Sequence, residues 1–400
     1  MTNTLTANHI KHYHLVVAIF LYATLVVDLY RKYIGVNVEI VRNVIYAFCL
    51  GMILWDAIKT KRFANMLLVF ILISLLYFFS SQIYLSHGQA YFTGWILFVS
   101  RLWPAYYVGR YTEDWVEVSN YMRKFIWIAL VYALFAFTAE LYMSGGENST
   151  YSTISSNLFM VTWVAFYDSF HRHKILSMIV CVICFIPVLF LGTRAGMFGA
   201  VLALVLFGGR AISRSTGSHK VVSYFLLIVS AVVLILFFNT ISVLLSDLFP
   251  NSRSLNFLLK DELFEDSNRS DSYYSRMWSA IQDNPLKMYG LIGNQIFLAG
   301  ENASIETILG SFAHNVYLEL CMNFGVVIGL FLGLYFTILL IKAYLKSKWR
   351  NRGIEFVYLG FLGMTFIGMM VSESWQFAYQ IWLLIGMAYR LVRSYTIREV

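Results

Sequence analysis

The stretch FLGTRAGMFGA, residues 190–200, places Arg194 between two charge-free runs, Ile175 to Leu191 and Ala195 to Gly208. A guanidinium at the edge of hydrocarbon costs a few kcal/mol unless it meets water, a partner or an anionic ligand. Its neighbours Gly192, Thr193 and Gly196 are small enough to let a bulky ligand approach the backbone. Arginine suits phosphate because its planar fork donates two parallel hydrogen bonds; the alternative is an arginine that snorkels to anchor a helix end. Arg101, in LFVSRLWPAYYVG, falls well inside another apolar run. Such a residue is either a functional cation or one half of an ion pair between helices. His314 opens the segment SFAHNVYLELCMNFGVVIGL. A neutral imidazole at a helix start could accept a proton, or simply sit at a membrane interface. Glu373, in VSESWQF, could orient that histidine or a sugar hydroxyl, unless it is a solvated turn.

The elements that must hold these residues are membrane helices. The chain has 400 residues, 59% of them hydrophobic and only 13% charged. A soluble protein of this size cannot bury that much apolar surface. Twelve apolar segments are expected to cross the bilayer: 14–30, 41–58, 64–84, 90–109, 123–143, 155–170, 174–191, 195–210, 221–247, 314–343, 354–371 and 374–392. Asn323-Phe324-Gly325 is expected to bend or break the tenth segment, which is otherwise too long for one crossing. With both termini in the cytoplasm, the cytoplasmic segments after the first crossing carry nineteen Lys and Arg residues. The short outside segments carry four: Arg31, Lys32, Arg42 and Arg194. That bias satisfies the positive-inside rule and assigns the net charge of +8 to the cytoplasmic face rather than to nucleic acid. Cys181 and Cys184 form a CxxC spacing inside an apolar helix, with no second ligand pair in the sequence, so core packing is expected there.

The same alternation divides the chain into residues 1–248 with nine crossings, a long outer loop at 249–312, and 313–400 with three more. The loop carries 5 basic and 8 acidic residues over 64 positions, too long for a mere connection. Within it, SYYSRMWSAIQDN spaces Tyr274, Met277, Trp278 and Ile281 as an amphipathic stripe expected to lie on the membrane surface or on the crossings. Arg276 would then sit at head-group depth, with Arg253 and Arg269 as further loop cations. Asp266 and Asp271 make a poor metal site, so neither a metal nor another cofactor is expected.

Three stretches in order resemble the O-antigen ligase/polymerase family of bacterial membrane glycosyltransferases: LGTRAG, SRMWSAIQDNPLKMYGLIG and HNVYLELCMNFGVVIG. The resemblance covers mainly residues 190–373. It implies an all-α, GT-C-like fold of about twelve transmembrane helices with one large periplasmic loop containing short helices, in the bacterial inner membrane. It further implies an undecaprenyl-diphosphate-linked glycan as donor and acceptor, with membrane lipids around it and a chain-length regulator and a flippase as protein partners. Carried over by position, Arg194 and Arg276 would bind the donor diphosphate, with Arg101 as a further cation. Arg269 is the alternative loop arginine, because the spacing of Arg276 to Trp278 is tighter than the family's. His314 would be the base or acceptor-orienting group and Glu373 the acidic residue of the last outer turn. Trp278, Asn315 and Tyr317 would line the acceptor side. A polymerase of lipid-linked repeat units is preferred over a ligase that transfers the glycan to lipid A–core. A flippase is the rival of a different class, although transporters usually show two related halves and none are evident here.

Overall fold

A computed structural model describes residues 2–30, 39–142, 153–190, 193–214, 243, 270–312, 314–346, 352–371 and 374–396. The expected ninth crossing, 221–247, lies outside the described residues apart from Val243, as do Arg253, Arg269 and Glu373. Every described element is a helix. In chain order they are α1 (Thr2–Asp28), α2 (Glu39–Lys59), α3 (Phe63–Ser81), α4 (Gly88–Leu97), α5 (Trp103–Tyr111), α6 (Trp115–Lys124), α7 (Ile126–Tyr142), α8 (Phe159–His171), α9 (Ile175–Phe190) and α10 (Arg194–Arg214). Beyond the undescribed stretch come α11 (Ser270–Asp283), α12 (Gly293–Ala299), α13 (Ile305–Gly310), α14 (Val316–Phe324), α15 (Val326–Lys346), α16 (Arg352–Val371) and α17 (Tyr379–Thr396).

By length and composition, four described helices suffice to cross a membrane: Ile40–Lys59, Phe63–Ser81, Val326–Lys346 and Gly353–Val371. The pair Trp115–Lys124 and Ile126–Thr138, bent by 54°, makes a fifth if it counts as one crossing. Tyr13–Asp28, Ile175–Leu189 and Ala195–Arg210 are apolar but shorter.

Small residues set how closely the helices pack, as expected where interhelical contact rests on van der Waals fit. A Cβ on Gly109 would lie 2.1 Å from the Leu383 carbonyl oxygen, and one on Gly386 would lie 2.3 Å from that of Tyr106, so α5 and α17 cross backbone to backbone. Gly363 meets Ala203 and Gly199 meets Met364 in the same way, joining α10 to α16. Where α4 passes into α5 the chain makes a π-helical turn at Phe98–Leu102. Pro104 follows at the start of α5; it has no N–H to give an α-helical bond, and the wider turn absorbs the defect. All four cysteines are buried and free.

Two expectations need correction. Residues 314–343 do not form one crossing; the segment breaks at Asn323-Phe324-Gly325, one of the two alternatives expected there. The chain reverses at Gly325, which has φ +76°, and α14 runs back along α15. The close pairs are Cys321 with Gly329 and Tyr317 with Gly333, whose numbers step in opposite directions on the two helices. A left-handed residue at the joint lets the chain fold back, and glycine adopts it without a Cβ penalty. The amphipathic stripe of α11 also differs. Met277 is buried and Ile281 packs beside it, together with Tyr273 and Ala280, whereas Trp278 is 57% exposed. The inner face follows positions 273, 277, 280 and 281, a helical repeat that leaves Trp278 on the outside.

Candidate functional site

His314 sits in the left-handed region at φ 53°, as do Lys61, His173 and Ile292; the conformation is uncommon outside glycine, although histidine enters it more readily than most residues. Its neighbours brace it on both sides. The His314 ring lies 4.4 Å from the centroid of Phe312, and Phe312 lies 6.4 Å from Phe377. Immediately after it, Asn315 caps α14 by accepting from the Leu318 N–H at 3.0 Å. Its Nδ2 donates to the Met370 carbonyl at 2.9 Å, which ties the start of α14 to the end of α16. Tyr317, one turn on, has its hydroxyl 2.8 Å from that of Thr337 on α15.

Beyond His314, further along α14, lies a polar cluster that the sequence did not single out. Glu319, on α14, is 1% exposed. Its Oε1 accepts from Ser374 Oγ at 2.7 Å, Gln376 Nε2 at 2.8 Å and Gln295 Nε2 at 3.3 Å. Its Oε2 accepts from the Trp375 N–H at 3.2 Å. Gln376 passes the contact on, accepting from the Ile292 N–H at 2.9 Å and reaching Asn294 Oδ1 at 3.4 Å. The signal was present as a lone acid inside NVYLELCMNF, but the partners from residues 374–376 are remote in sequence.

The arginines are dispersed along the chain. Arg194 is the first residue of α10, with only its backbone described. The turn before it is well anchored: Thr193 accepts from the Gly196 N–H at 3.1 Å and donates from its own hydroxyl to Ser155 Oγ at 2.9 Å. A Cβ on Gly196 would fall 2.3 Å from that of Ser155, so the small residue is required by packing against the π-helical turn Thr153–Leu158. Arg276, on α11, donates through Nη1 to the Leu298 carbonyl at 2.8 Å and through Nη2 to that of Phe297 at 3.0 Å. It lies 5.6 Å from the Phe297 ring centroid. A cation at the C-terminal carbonyls of α12 is favourable for the helix dipole. Three of the five N–H donors that a guanidinium carries are left by these two bonds. Arg101 sits in the π-helical turn with its guanidinium 5.0 Å from the ring centroid of Tyr46 on α2, a cation–π contact where the sequence left open an ion pair.

The structure therefore brings His314, Asn315 and Tyr317 onto one short segment braced against the start of α17. Arg276 is directed at the end of α12, and Trp278 is exposed beside it. This segment lies within a stretch that matches a known family. Residues 179–333 match the O-antigen ligase family model. The match supports assignment to the O-antigen ligase/polymerase family, whose members are glycosyl-transferring membrane enzymes of bacteria acting on lipid-linked glycans. It takes in Arg194, Arg269, Arg276, Trp278, His314, Asn315, Tyr317 and the buried Glu319, and excludes Arg101 and Glu373. No curated protein matches the chain.

Proposed function

We propose that this chain is an inner-membrane glycosyltransferase that polymerises undecaprenyl-diphosphate-linked repeat units into O-antigen or a related surface polysaccharide of the lipopolysaccharide type. The observation that carries the reading is His314. It is held in a strained backbone conformation between Phe312 and the Asn315 cap, inside the segment that matches the family. Strain of this kind is retained where geometry matters to function.

In the proposed reaction an acceptor hydroxyl attacks the anomeric carbon of the donor sugar. The new C–O bond forms as the bond to the diphosphate breaks, and the electron pair departs with undecaprenyl diphosphate. His314 takes the hydroxyl proton, with Glu373 orienting the histidine or the sugar. Arg194 and Arg276, with Arg269 as the alternative loop cation and Arg101 deeper in the bundle, offset the charge that builds on the leaving diphosphate. Fixed cations accelerate such a step because they bind the transition state more strongly than the ground state. Arg276 can hold the end of α12 and still offer its remaining donors. Trp278, Asn315 and Tyr317 would lie on the acceptor side.

In this reading the chain crosses the membrane twelve times, with both termini cytoplasmic and residues 249–312 in the periplasm. The tenth crossing is α15, and α14 returns beside it. A second reading, an O-antigen ligase delivering the glycan to lipid A–core, is favoured by the description of the matched family itself. Purified protein in liposomes with lipid-linked repeat unit decides between them. A glycan ladder formed without ATP or divalent cation supports the polymerase; transfer only when lipid A–core is added supports the ligase. Movement of the lipid-linked unit without transfer would replace both with a flippase.

A further inference from the structure

The Glu319 cluster has a shape that the proposed chemistry does not by itself require. All four groups that donate to the carboxyl are neutral, and three of them, Ser374, Trp375 and Gln376, come from one turn just before α17. That turn closes on itself, with the Phe377 and Ala378 N–H groups donating to the Ser374 carbonyl at 3.2 and 2.9 Å. Phe377 is then carried next to Phe312, whose ring packs at a tilt against that of His314. On the other flank, Asn315 binds the Met370 carbonyl. Helix α14 is thus fastened to both sides of the connection between α16 and α17. One fastening is the residue after His314, and the other is Glu319, a little over one helical turn later.

We propose that Glu319 is a positioning residue for the transfer reaction: it seats the turn Ser374–Ala378 on α14 and so, through Phe377 and Phe312, sets the place of the His314 imidazole. A carboxylate is the group that suits the task. It accepts at both oxygens and donates at neither, so it can satisfy four donors at once; an amide of the same size would set its own N–H groups against one of them. Losing that match in a buried site displaces the turn or leaves a polar group unpaired. The inference rests on the glycosyl-transfer reading and deepens it, because the imidazole matters only if His314 handles the acceptor.

The test compares wild type, Glu319→Gln and Ser374→Ala in liposomes with lipid-linked repeat unit, under steady-state conditions. Misplacement of a reacting group by about 1 Å can cost on the order of 100-fold in rate. Glu319→Gln is expected to lower kcat by roughly 10- to 100-fold on that scale with KM within about twofold, and Ser374→Ala to lower it less. Hydrogen exchange of the peptide spanning 374–380 should rise in both variants, and the rate at which diethyl pyrocarbonate modifies His314 should change. These last two readouts need no activity. Should Glu319→Gln fail to fold, Ser374→Ala carries the test alone. A wild-type protein that transfers no glycan removes the functional reading. A wild type that does transfer, with either variant matching its kcat or leaving exchange at 374–380 unaltered, overturns the positioning role.

Discussion

At the scale of single residues, His314 and Arg276 each combine a structural cost or duty with a proposed chemical one, and substitution can separate the two. Glycine accepts φ 53° freely, so His314→Gly removes the imidazole while relieving the backbone. The expected outcome is a melting temperature equal to or above wild type with turnover lowered roughly 10²- to 10⁴-fold, the range for loss of a general base. Thermal unfolding and ladder formation on the same preparation check it. Arg276→Ala should cost about 1 kcal/mol of stability through the lost helix-end contacts as well as rate. Arg194→Ala should lower turnover by roughly 10²- to 10³-fold, the scale of losing one preorganised electrostatic contact.

At the scale of elements, the reversal at Gly325 decides where the candidate base sits. A Cβ there would lie 3.3 Å from the Leu286 carbonyl oxygen, on a backbone at φ +76°. One on Gly329 would lie 2.5 Å from the Cys321 backbone. Gly329→Leu is therefore expected to part α14 from α15, to lower the melting temperature and to abolish transfer, whereas substitution of the exposed Val327 should do neither. The helices themselves were largely legible in the sequence: α2, α3, α9 and α16 fall within a few residues of the apolar runs that predicted them. The fold-back of α14 was not. An apolar stretch of that length reads the same as one bent crossing or as a hairpin, because both bury similar side chains, and only the Gly329 and Gly333 contacts distinguish them. In the same way His314, Asn315 and Tyr317 could be picked out by their order, while Glu319 could not. Its meaning depends on Ser374, Trp375 and Gln376, which are brought to it by the packing of α16 and α17.

At the scale of the whole molecule, the proposal makes a claim about sidedness that introduced thiols can check. The native cysteines are all buried, so a single cysteine placed on an exposed position should be the main site of labelling by a membrane-impermeant maleimide. Met288→Cys, in the segment after α11, is expected to react from the periplasmic side of intact spheroplasts. Lys59→Cys, at the end of α2, should react only after the membrane is opened. Labelling of both from the same side would refute the proposed topology.

The hairpin of α14 on α15 couples the candidate base to the lipid. Helix α15 presents Val327, Phe331, Leu334 and Ile341 outward, and a helix with such a face tilts to match the thickness of its surroundings. Because α14 rests on it through glycine contacts with little slack, any tilt is handed on to the segment that begins at His314. Bilayer thickness then becomes a control on turnover: vesicles made from short-chain and long-chain lipids should support different rates even when substrate, pH and salt are held constant.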